Sequence, residues 1–133
     1  MTLLVWNDAH HALGVAAMDE THRGFADLVN RLGNAPGGGE FRTLFAELVA
    51  HTAAHFAFED RLMVETGFPA LGEHRSEHDR VLGQMRQIAA RVERGLLVMG
   101  REYVRELPRW FDLHAATMDS ALAAHLKAKG VAS

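Results

Sequence analysis

Residues 51–60 read HTAAHFAFED, and this stretch holds a histidine and a glutamate, His55 and Glu59, four positions apart. On an α-helix, side chains four residues apart lie one turn apart on the same face. Imidazole and carboxylate groups are both metal ligands. The stretch therefore predicts a helix that presents two metal ligands to one side.

The same kind of pattern recurs on both sides of this stretch. His74 and His78 are also four residues apart, His22 precedes them all, and His114 and Asp119 follow near the end of the chain. We interpret the chain as four helices that each offer ligands to a shared interior. This is the geometry of a metal site in the core of a four-helix bundle.

Hydrophobic periodicity predicts an all-α fold, namely an antiparallel up-down-up-down four-helix bundle with an N-terminal arm. We expect one domain over residues 1–133, with the arm at 1–17 and the bundle at 18–128. Pro108 should kink the last helix or mark a fresh start. The predicted helices run from about Met18 to Leu32, Glu40 to Glu65, Gly72 to Arg94 and Gly100 to Lys127.

Composition excludes several classes of function. The chain has 14 basic and 17 acidic residues and no basic cluster, so it lacks the electrostatic footprint of nucleic-acid binding. It has no cysteine, which excludes thiolate metal sites, iron–sulfur clusters and thiol catalysis. Its apolar runs are too short for a signal-peptide core or a membrane span. We therefore expect a cytoplasmic protein that does not insert into membranes.

The ligand set has a defined bonding capacity. Five histidines supply five bonds, two carboxylates that each bridge two metals supply four, and one oxo or hydroxo bridge adds two. Two octahedral ions need one bond more than this total, so one position stays open for a small ligand. Nitrogen and oxygen donors without sulfur suit iron, manganese or zinc. Two Fe(II) ions at such a site could together give two electrons to dioxygen.

Each histidine also has an ordinary interpretation as a satisfied polar residue, and His55 with Glu59 could form a simple surface contact. The joint pattern favours the metal site, because seven buried ionisable groups without a metal would carry a heavy desolvation penalty. The other histidines are interpreted as non-ligands. We expect His10 and His11 to be solvated and His125 to snorkel or be exposed. His51 is either a partner of a metal ligand or a polar residue at the bundle end.

The spacing of His114 and Asp119 conflicts with a regular α-helix. Five residues at about 3.6 per turn leave the two side chains about 140° apart around the helix axis. Both residues are needed inside, so the fourth helix should absorb one extra residue between them through a π-type bulge. The alternative is a regular helix from whose flank Asp119 reaches around.

These motifs resemble those of the hemerythrin family, in particular its single-domain bacterial members. The resemblance rests on four stretches and covers nearly the whole chain. They are Met18-Asp19-Glu20-Thr21-His22, His55 to Met63, Gly67-Phe68-Pro69 with His74 and His78, and Trp110 to His114 with Asp119. The sequence departs from the family pattern at Asp60, Pro108, Phe111 and Ala115.

The resemblance implies a cofactor of two iron ions, oxo- or hydroxo-bridged, that binds dioxygen reversibly. Residues that match His74, His78 and His114 hold one iron in the family. Those that match His22 and His55 hold the other, which keeps the open position, and Glu59 and Asp119 match the bridging carboxylates. We expect apolar side chains to line the open position: Phe25, Phe56, Trp110, Phe111 and Ala115.

Three functions are compatible with this site. The first is reversible dioxygen binding for storage, delivery or sensing, without enzymatic turnover. It is favoured because no free acid or base for proton delivery is apparent near the ligands. The alternative is a di-iron enzyme acting on peroxide, nitric oxide or dioxygen, although the chain lacks the Glu-x-x-His pairs of ferritin-like oxidases. The third is a helical interaction module with a structural metal, which the open position disfavours.

Overall fold

The computed structural model describes residues 2–131, and the side chain of His10 and residues 1, 132 and 133 lie outside the described part. A one-turn helix, α1 (Asp8–His11), precedes three long helices, α2 (Ala16–Asn34), α3 (Gly38–Thr66) and α4 (Leu71–Glu93). The fourth long helix consists of α5 (Leu97–His114), a π-helical segment (Ala115–Asp119) and α6 (Ser120–Ala128). No strand occurs among these described residues, so the fold is the all-α four-helix bundle that was predicted.

Two apolar clusters flank a polar layer, and they show the direction of each helix. We call the apolar cluster that contains Phe25 and Leu48 the upper cluster, and the one that contains Met18 and Met63 the lower cluster. Along α2, Met18 comes first, then His22, then Phe25. Along α3 the order is reversed, because Leu48 of the upper cluster precedes His55 and Met63 of the lower cluster follows it. The order reverses again along α4 and once more along the fourth helix. Neighbouring helices are therefore antiparallel.

Glycines in the left-handed region end two of the long helices. Gly67 has φ 66° after α3, and the amide of the next residue, Phe68, donates to the carbonyl of Met63. Gly95 has φ 87° after α4, where the amide of Leu96 donates to Arg91. Only glycine adopts this conformation without a steric penalty, and the two bonds satisfy carbonyls that a helix end leaves unpaired. The observed stops at residues 67 and 95 are the predicted ones.

The helix bounds differ from the predicted ones by a few residues. The first bundle helix begins at Ala16 and the fourth at Leu97, each slightly earlier than expected. Pro108 lies inside α5, which continues through it to His114, so it does not mark a fresh start. Proline removes one amide hydrogen bond and crowds the preceding turn, and packing of a long helix in the bundle outweighs that cost.

The N-terminal arm lies across the bundle and is held by side chains of α2. The amide oxygen of Asn30 accepts hydrogen bonds from the amides of Leu3 and Leu4, and its nitrogen donates to the carbonyl of Leu4. The carboxylate of Asp19 accepts from the amides of Leu13 and Gly14. Leu4 is buried in the upper apolar cluster.

Among residues 2–131, none of the helices is long and apolar enough to span a membrane.

Candidate metal centre

Every helix of the bundle brings metal-binding side chains to the polar layer between the two apolar clusters. All seven are buried, at most 6% exposed, and they form two overlapping groups. The three-histidine group is Glu59, His74, His78, His114 and Asp119, and the two-histidine group is His22, His55, Glu59 and Asp119. We call these seven residues together the donor cluster. The structure thus brings together all the side chains that the sequence selected as ligands.

Glu59 directs its two oxygens to different groups. Its Oε2 lies 2.6 Å from Nε2 of His55 and 3.8 Å from Nε2 of His22. Its Oε1 lies 3.2 Å from Nε2 of His78 and 3.4 Å from Nε2 of His74. One carboxylate oxygen therefore serves each group, which is the arrangement that a bridging carboxylate requires.

Asp119 repeats this arrangement from the opposite side of the layer. Its Oδ2 lies 3.1 Å from Nε2 of His22. Its Oδ1 lies 3.0 Å from Nε2 of His114 and 3.1 Å from Nε2 of His74. The five histidines all direct Nε2 toward the shared carboxylates, so nitrogen and oxygen donors converge on two neighbouring points.

The spacing of these donors fits metal ions. Two ligand atoms about 2.1 Å from one ion and at right angles to each other are about 3.0 Å apart, close to most of the separations above. Nine buried side-chain atoms of residues 2–131 lack a hydrogen-bond partner, and eight of them belong to donor-cluster residues. Buried polar atoms are normally paired. Metal ions would supply partners for the five of these eight atoms that face the centre of the layer, namely Nε2 of His22, His78 and His114, Oε1 of Glu59 and Oδ2 of Asp119.

The carboxylates and histidines of the layer shift each other's pKa values. Burial lowers the pKa of His22, but the carboxylates of Asp119 and Glu59 outweigh burial and raise that pKa to about 9. The pKa of His74 is raised to about 9 for the same reasons. Burial also acts against ionisation of Glu59, yet the surrounding histidines hold its pKa well below its usual value. Protons thus neutralise the carboxylates until cations replace them.

A π-helical segment places both donors of the fourth helix in the layer. It covers Ala115–Asp119, and the amide of Ser120 donates to the carbonyl of Ala115, five residues earlier. A π-turn holds one residue more than an α-turn, so His114 and Asp119 face the same side despite their five-residue spacing. The predicted bulge is confirmed, and the alternative of a regular helix is wrong.

One histidine of the donor cluster is oriented by a carboxylate from another helix. Nδ1 of His78 lies 2.9 Å from Oδ1 of Asp60, whose other oxygen is 3.8 Å from Nε of Arg75. A hydrogen bond at Nδ1 leaves Nε2 as the metal-binding nitrogen. In the sequence, Asp60 is distinguished only as a departure from the family pattern. Because Asp60 and His78 lie on different helices, no spacing along the chain could connect them.

Aromatic rings surround the donor cluster on its upper side. Phe111 contacts His22 edge-on with ring centroids 5.2 Å apart, and Phe25 stacks on Phe111 at the same distance. Phe56 stacks on His78 at 3.9 Å and Trp110 stacks on His114 at 4.8 Å. The five residues selected as an apolar lining therefore divide. Phe25 and Phe111 lie near the two-histidine group, and Trp110 packs on the three-histidine group. Phe56 contacts a histidine of each group, and Ala115 is buried in the upper apolar cluster.

The prediction that His11 would be solvated was wrong, whereas His125 is partly exposed. His11 is buried, with Nε2 2.8 Å from Asp112 and Nδ1 accepting from the amide of Asn7. His125 is half-buried, and its Nε2 lies 3.0 Å from the carbonyl of Thr66. Both depend on contacts with distant segments that local polarity does not reveal. The prediction for His10 concerns a side chain outside the described part of the chain.

His51 links two helices beside the donor cluster. Its Nε2 lies 3.0 Å from the carbonyl of Thr21, the residue before His22. A Cβ at Gly24 would lie 2.8 Å from Cε1 of His51, so glycine allows this close approach of α2 to α3. His51 thus contacts the backbone next to a ligand and not the side chain of a ligand, so neither interpretation of His51 is confirmed.

The donor cluster defines a class of protein: a four-helix bundle with a buried histidine–carboxylate cluster that can hold metal. Comparison with known proteins identifies the family. The family model "Hemerythrin HHE cation binding domain" matches residues 13–126. The chain belongs to the hemerythrin family, whose members are oxygen-binding proteins that generally contain two non-haem irons, rather than enzymes.

Individual relatives agree with this assignment. The chain is 38% identical to a bacteriohemerythrin of Ralstonia nicotianae over 98% of this chain and 93% of the relative. It is 30% identical to a bacteriohemerythrin of Stenotrophomonas maltophilia over 96% of this chain and 84% of the relative. A crystal structure of wild-type hemerythrin superposes with a TM-score of 0.85 at 22% identity, covering 93% of this chain and 98% of that one. The last comparison supports the fold.

Proposed function

We propose that this protein binds two iron ions in the donor cluster and binds dioxygen reversibly there, in oxygen storage, delivery or sensing. The observation that supports this proposal best is the division of carboxylate oxygens, because Glu59 and Asp119 each offer one oxygen to each histidine group. Ligands of a single metal ion would direct their donor atoms to one point and not to two. Membership of the hemerythrin family favours iron among the metals that suit these donors.

The donor count makes the two positions unequal. The three-histidine group offers three imidazoles and two carboxylate oxygens, whereas the two-histidine group offers one imidazole less. With a shared solvent-derived oxygen, the first group completes six bonds and the second reaches five. The position for dioxygen is therefore proposed at the two-histidine group. When bound, the two irons supply the electrons that reversible dioxygen binding requires.

The protein's own side chains protect this position. Phe25, Phe111 and Ala115 are buried, and Phe56 packs between His55 and His78. An apolar surrounding excludes water and limits side reactions at a reactive site. We propose that these residues, with Trp110, line the ligand position. Lining by apolar groups favours release of the ligand over its chemical conversion.

An absorption experiment with metal analysis tests the proposal. Iron-reconstituted protein is reduced anaerobically, exposed to air and then purged with argon. Two irons per chain and a visible band that appears in air and disappears under argon are expected. His55→Ala should lower the iron content, whereas His125→Ala, which changes a histidine outside the cluster, should not. One iron per chain would exclude the dinuclear site, and rapid irreversible oxidation would favour the enzyme alternative.

A further inference from the structure

Thr52 carries a buried hydroxyl for which the protein provides no partner. It lies on α3 and is 1% exposed, and its Oγ1 makes no hydrogen bond. Outside the donor cluster, it is the one buried side-chain nitrogen or oxygen of residues 2–131 in this condition. Buried hydroxyl groups are normally paired because leaving one unpaired costs free energy. An orphaned hydroxyl therefore indicates a partner that is not part of the chain.

The other threonines of the helices show that this condition is unusual. Each of them donates its hydroxyl to the carbonyl four residues earlier, at 2.6–3.1 Å: Thr21, Thr43, Thr66 and Thr117. This back-bonding is the ordinary solution for a threonine inside a helix. Thr52 could use the same solution toward Leu48 but does not. Its hydroxyl is therefore available to a different acceptor.

Thr52 lies next to the proposed ligand position. It precedes His55 by three residues and Phe56 by four, so all three share one face of α3 within about one turn. The rise of an α-helix places Thr52 about 4.5 Å along the axis from His55. Leu48, one turn further, belongs to the upper apolar cluster. Thr52 thus occupies the boundary between that cluster and the donor cluster, on the side of the aromatic rings.

Neighbouring polar groups do not compete for this hydroxyl. His51 is engaged with the carbonyl of Thr21, and Nε2 of His55 is directed to Glu59. Phe25 and Phe111, which lie beside His22, offer no hydrogen-bonding group. A small polar ligand, or one water beside it, is the partner that this environment lacks.

We propose that Thr52 is a hydrogen-bonding residue of the ligand position, donating through Oγ1 to a small ligand held at the two-histidine group, directly or through one water. The inference rests on the proposed function for the nature of that ligand. Dioxygen and anions such as azide both carry negative charge on their outer atom when bound to a metal. A hydroxyl group donates a stronger hydrogen bond to a negatively charged atom than to a neutral acceptor. Thr52 would thus raise the affinity for this ligand in a lining that is otherwise apolar.

Two substitutions separate the hydroxyl from the shape of the side chain. Thr52→Val preserves the shape and removes the hydroxyl, whereas Thr52→Ser keeps the hydroxyl and removes a methyl group. Thr43→Val, at an exposed position of the same helix, is the matched control. The measurement is the dissociation constant of azide for the oxidised iron-loaded proteins, followed by absorbance.

We expect Thr52→Val to weaken azide binding by about tenfold, as loss of a hydrogen bond to a charged group implies. Thr52→Ser and Thr43→Val should stay within about twofold of the original protein. Unfolding of the metal-free proteins in urea gives a second readout, in which Thr52→Val should be at least as stable as the original because an unpaired hydroxyl is removed.

Three outcomes would overturn the assignment of Thr52. These are unchanged azide binding by Thr52→Val, equal weakening by Val and Ser, or clear destabilisation of metal-free Thr52→Val, which would reveal a partner within the protein. Failure of the proposed function looks different, because the unsubstituted protein would then not hold two irons or bind azide at all.

Discussion

At the scale of single residues, the histidines of the donor cluster differ in how their second ring nitrogen is held. His78 has a carboxylate partner in Asp60, whereas Nδ1 of His22, His74 and His114 has no partner in the protein. Partners of this kind fix the ring orientation and strengthen the ligand. Asp60 is therefore expected to matter for metal binding although it is not itself a ligand.

Removing the Asp60 carboxylate tests this role. Asp60→Ala should weaken binding of the metal ion at the three-histidine group by about 10–100-fold, because His78 loses its orienting partner. Competition with a chelator, followed by metal analysis, measures the effect. Asp79→Ala removes an exposed carboxylate one residue after His78 and should change little. Equal retention of metal by both variants would show that packing against Phe56 alone orients His78.

A second prediction concerns pH in the metal-free protein. The pKa values of His22 and His74 are raised to about 9, because Asp119 and Glu59 outweigh the burial that lowers them. Imidazoles of the unfolded chain titrate near 6.5. The folded state therefore binds more protons between these values. The stability that these two histidines contribute should be fully present below pH 6.5 and should decline as the pH rises toward 9.

Urea unfolding of the metal-free protein at pH 6, 7.5 and 9 measures this decline. A variant carrying His22→Gln and His74→Gln should lack most of it. Metal affinity should show the opposite trend and rise over the same range, because binding displaces these protons. A stability that is constant or increases from pH 6.5 to 9 would contradict the assigned charge states.

At the scale of the elements, the fourth helix contains the structural irregularity on which the site depends. The π-helical segment Ala115–Asp119 accommodates one residue more than an α-helix and thereby places His114 and Asp119 side by side. This feature could be predicted from sequence, because it follows from a five-residue spacing between two groups that must both face inward. The need to place both ligands inside the bundle therefore predicts the π-helical segment.

Deleting one residue of this segment should remove the irregularity without removing the site. Without the exposed Ala116, His114 and Asp119 are four residues apart, which a regular α-helix places on one face. The deletion variant is expected to retain two metal ions per chain, as measured by metal analysis. Inserting an alanine after Ala116 instead separates the pair by six residues, about 240° of rotation, and should abolish metal binding. Loss of metal from the deletion variant would show that the π-turn itself is required.

Other elements show where inference from sequence stops. His55 and Glu59 could be recognised because both lie on one helix, where spacing determines the face. The contact of Asp60 with His78 joins two helices, so it depends on their relative placement. Burial of His11 depends on a one-turn helix that docks against Asp112 over a hundred residues away. Ligands on different helices could thus be connected through their shared chemistry, whereas other pairs formed by packing could not be predicted.

At the scale of the whole molecule, the first residues of the arm are fastened to the bundle by one side chain. Asn30 makes three hydrogen bonds to the backbone of Leu3 and Leu4. Leu4 then completes the upper apolar cluster, to which Phe25 and Phe111 also belong. The arm is therefore an integral part of the core above the donor cluster.

Substituting Asn30 should release the first residues of this arm. Asn30→Ala is expected to lower the free energy of unfolding by about 2 kcal/mol or more, since three hydrogen bonds at about 0.5–1.5 kcal/mol each are lost. Hydrogen exchange of residues 2–12 should accelerate more than exchange in α3. Glu20→Ala, an exposed substitution on the same helix, is the control. Unchanged protection of the arm would mean that burial of Leu4 suffices to hold it.

The shared oxygens of Glu59 and Asp119 also determine how the protein fills with metal. An ion in one group would fix both carboxylates and leave their second oxygens facing the other group with a protonated histidine, His22 or His74, in place of a metal ion. The half-filled protein is thus poorly satisfied, and its second ion binds to a position that the first has organised. Filling should be cooperative. Native mass spectrometry at half the required metal should show empty and doubly filled molecules with few singly filled ones, so that the protein takes up its ions in pairs.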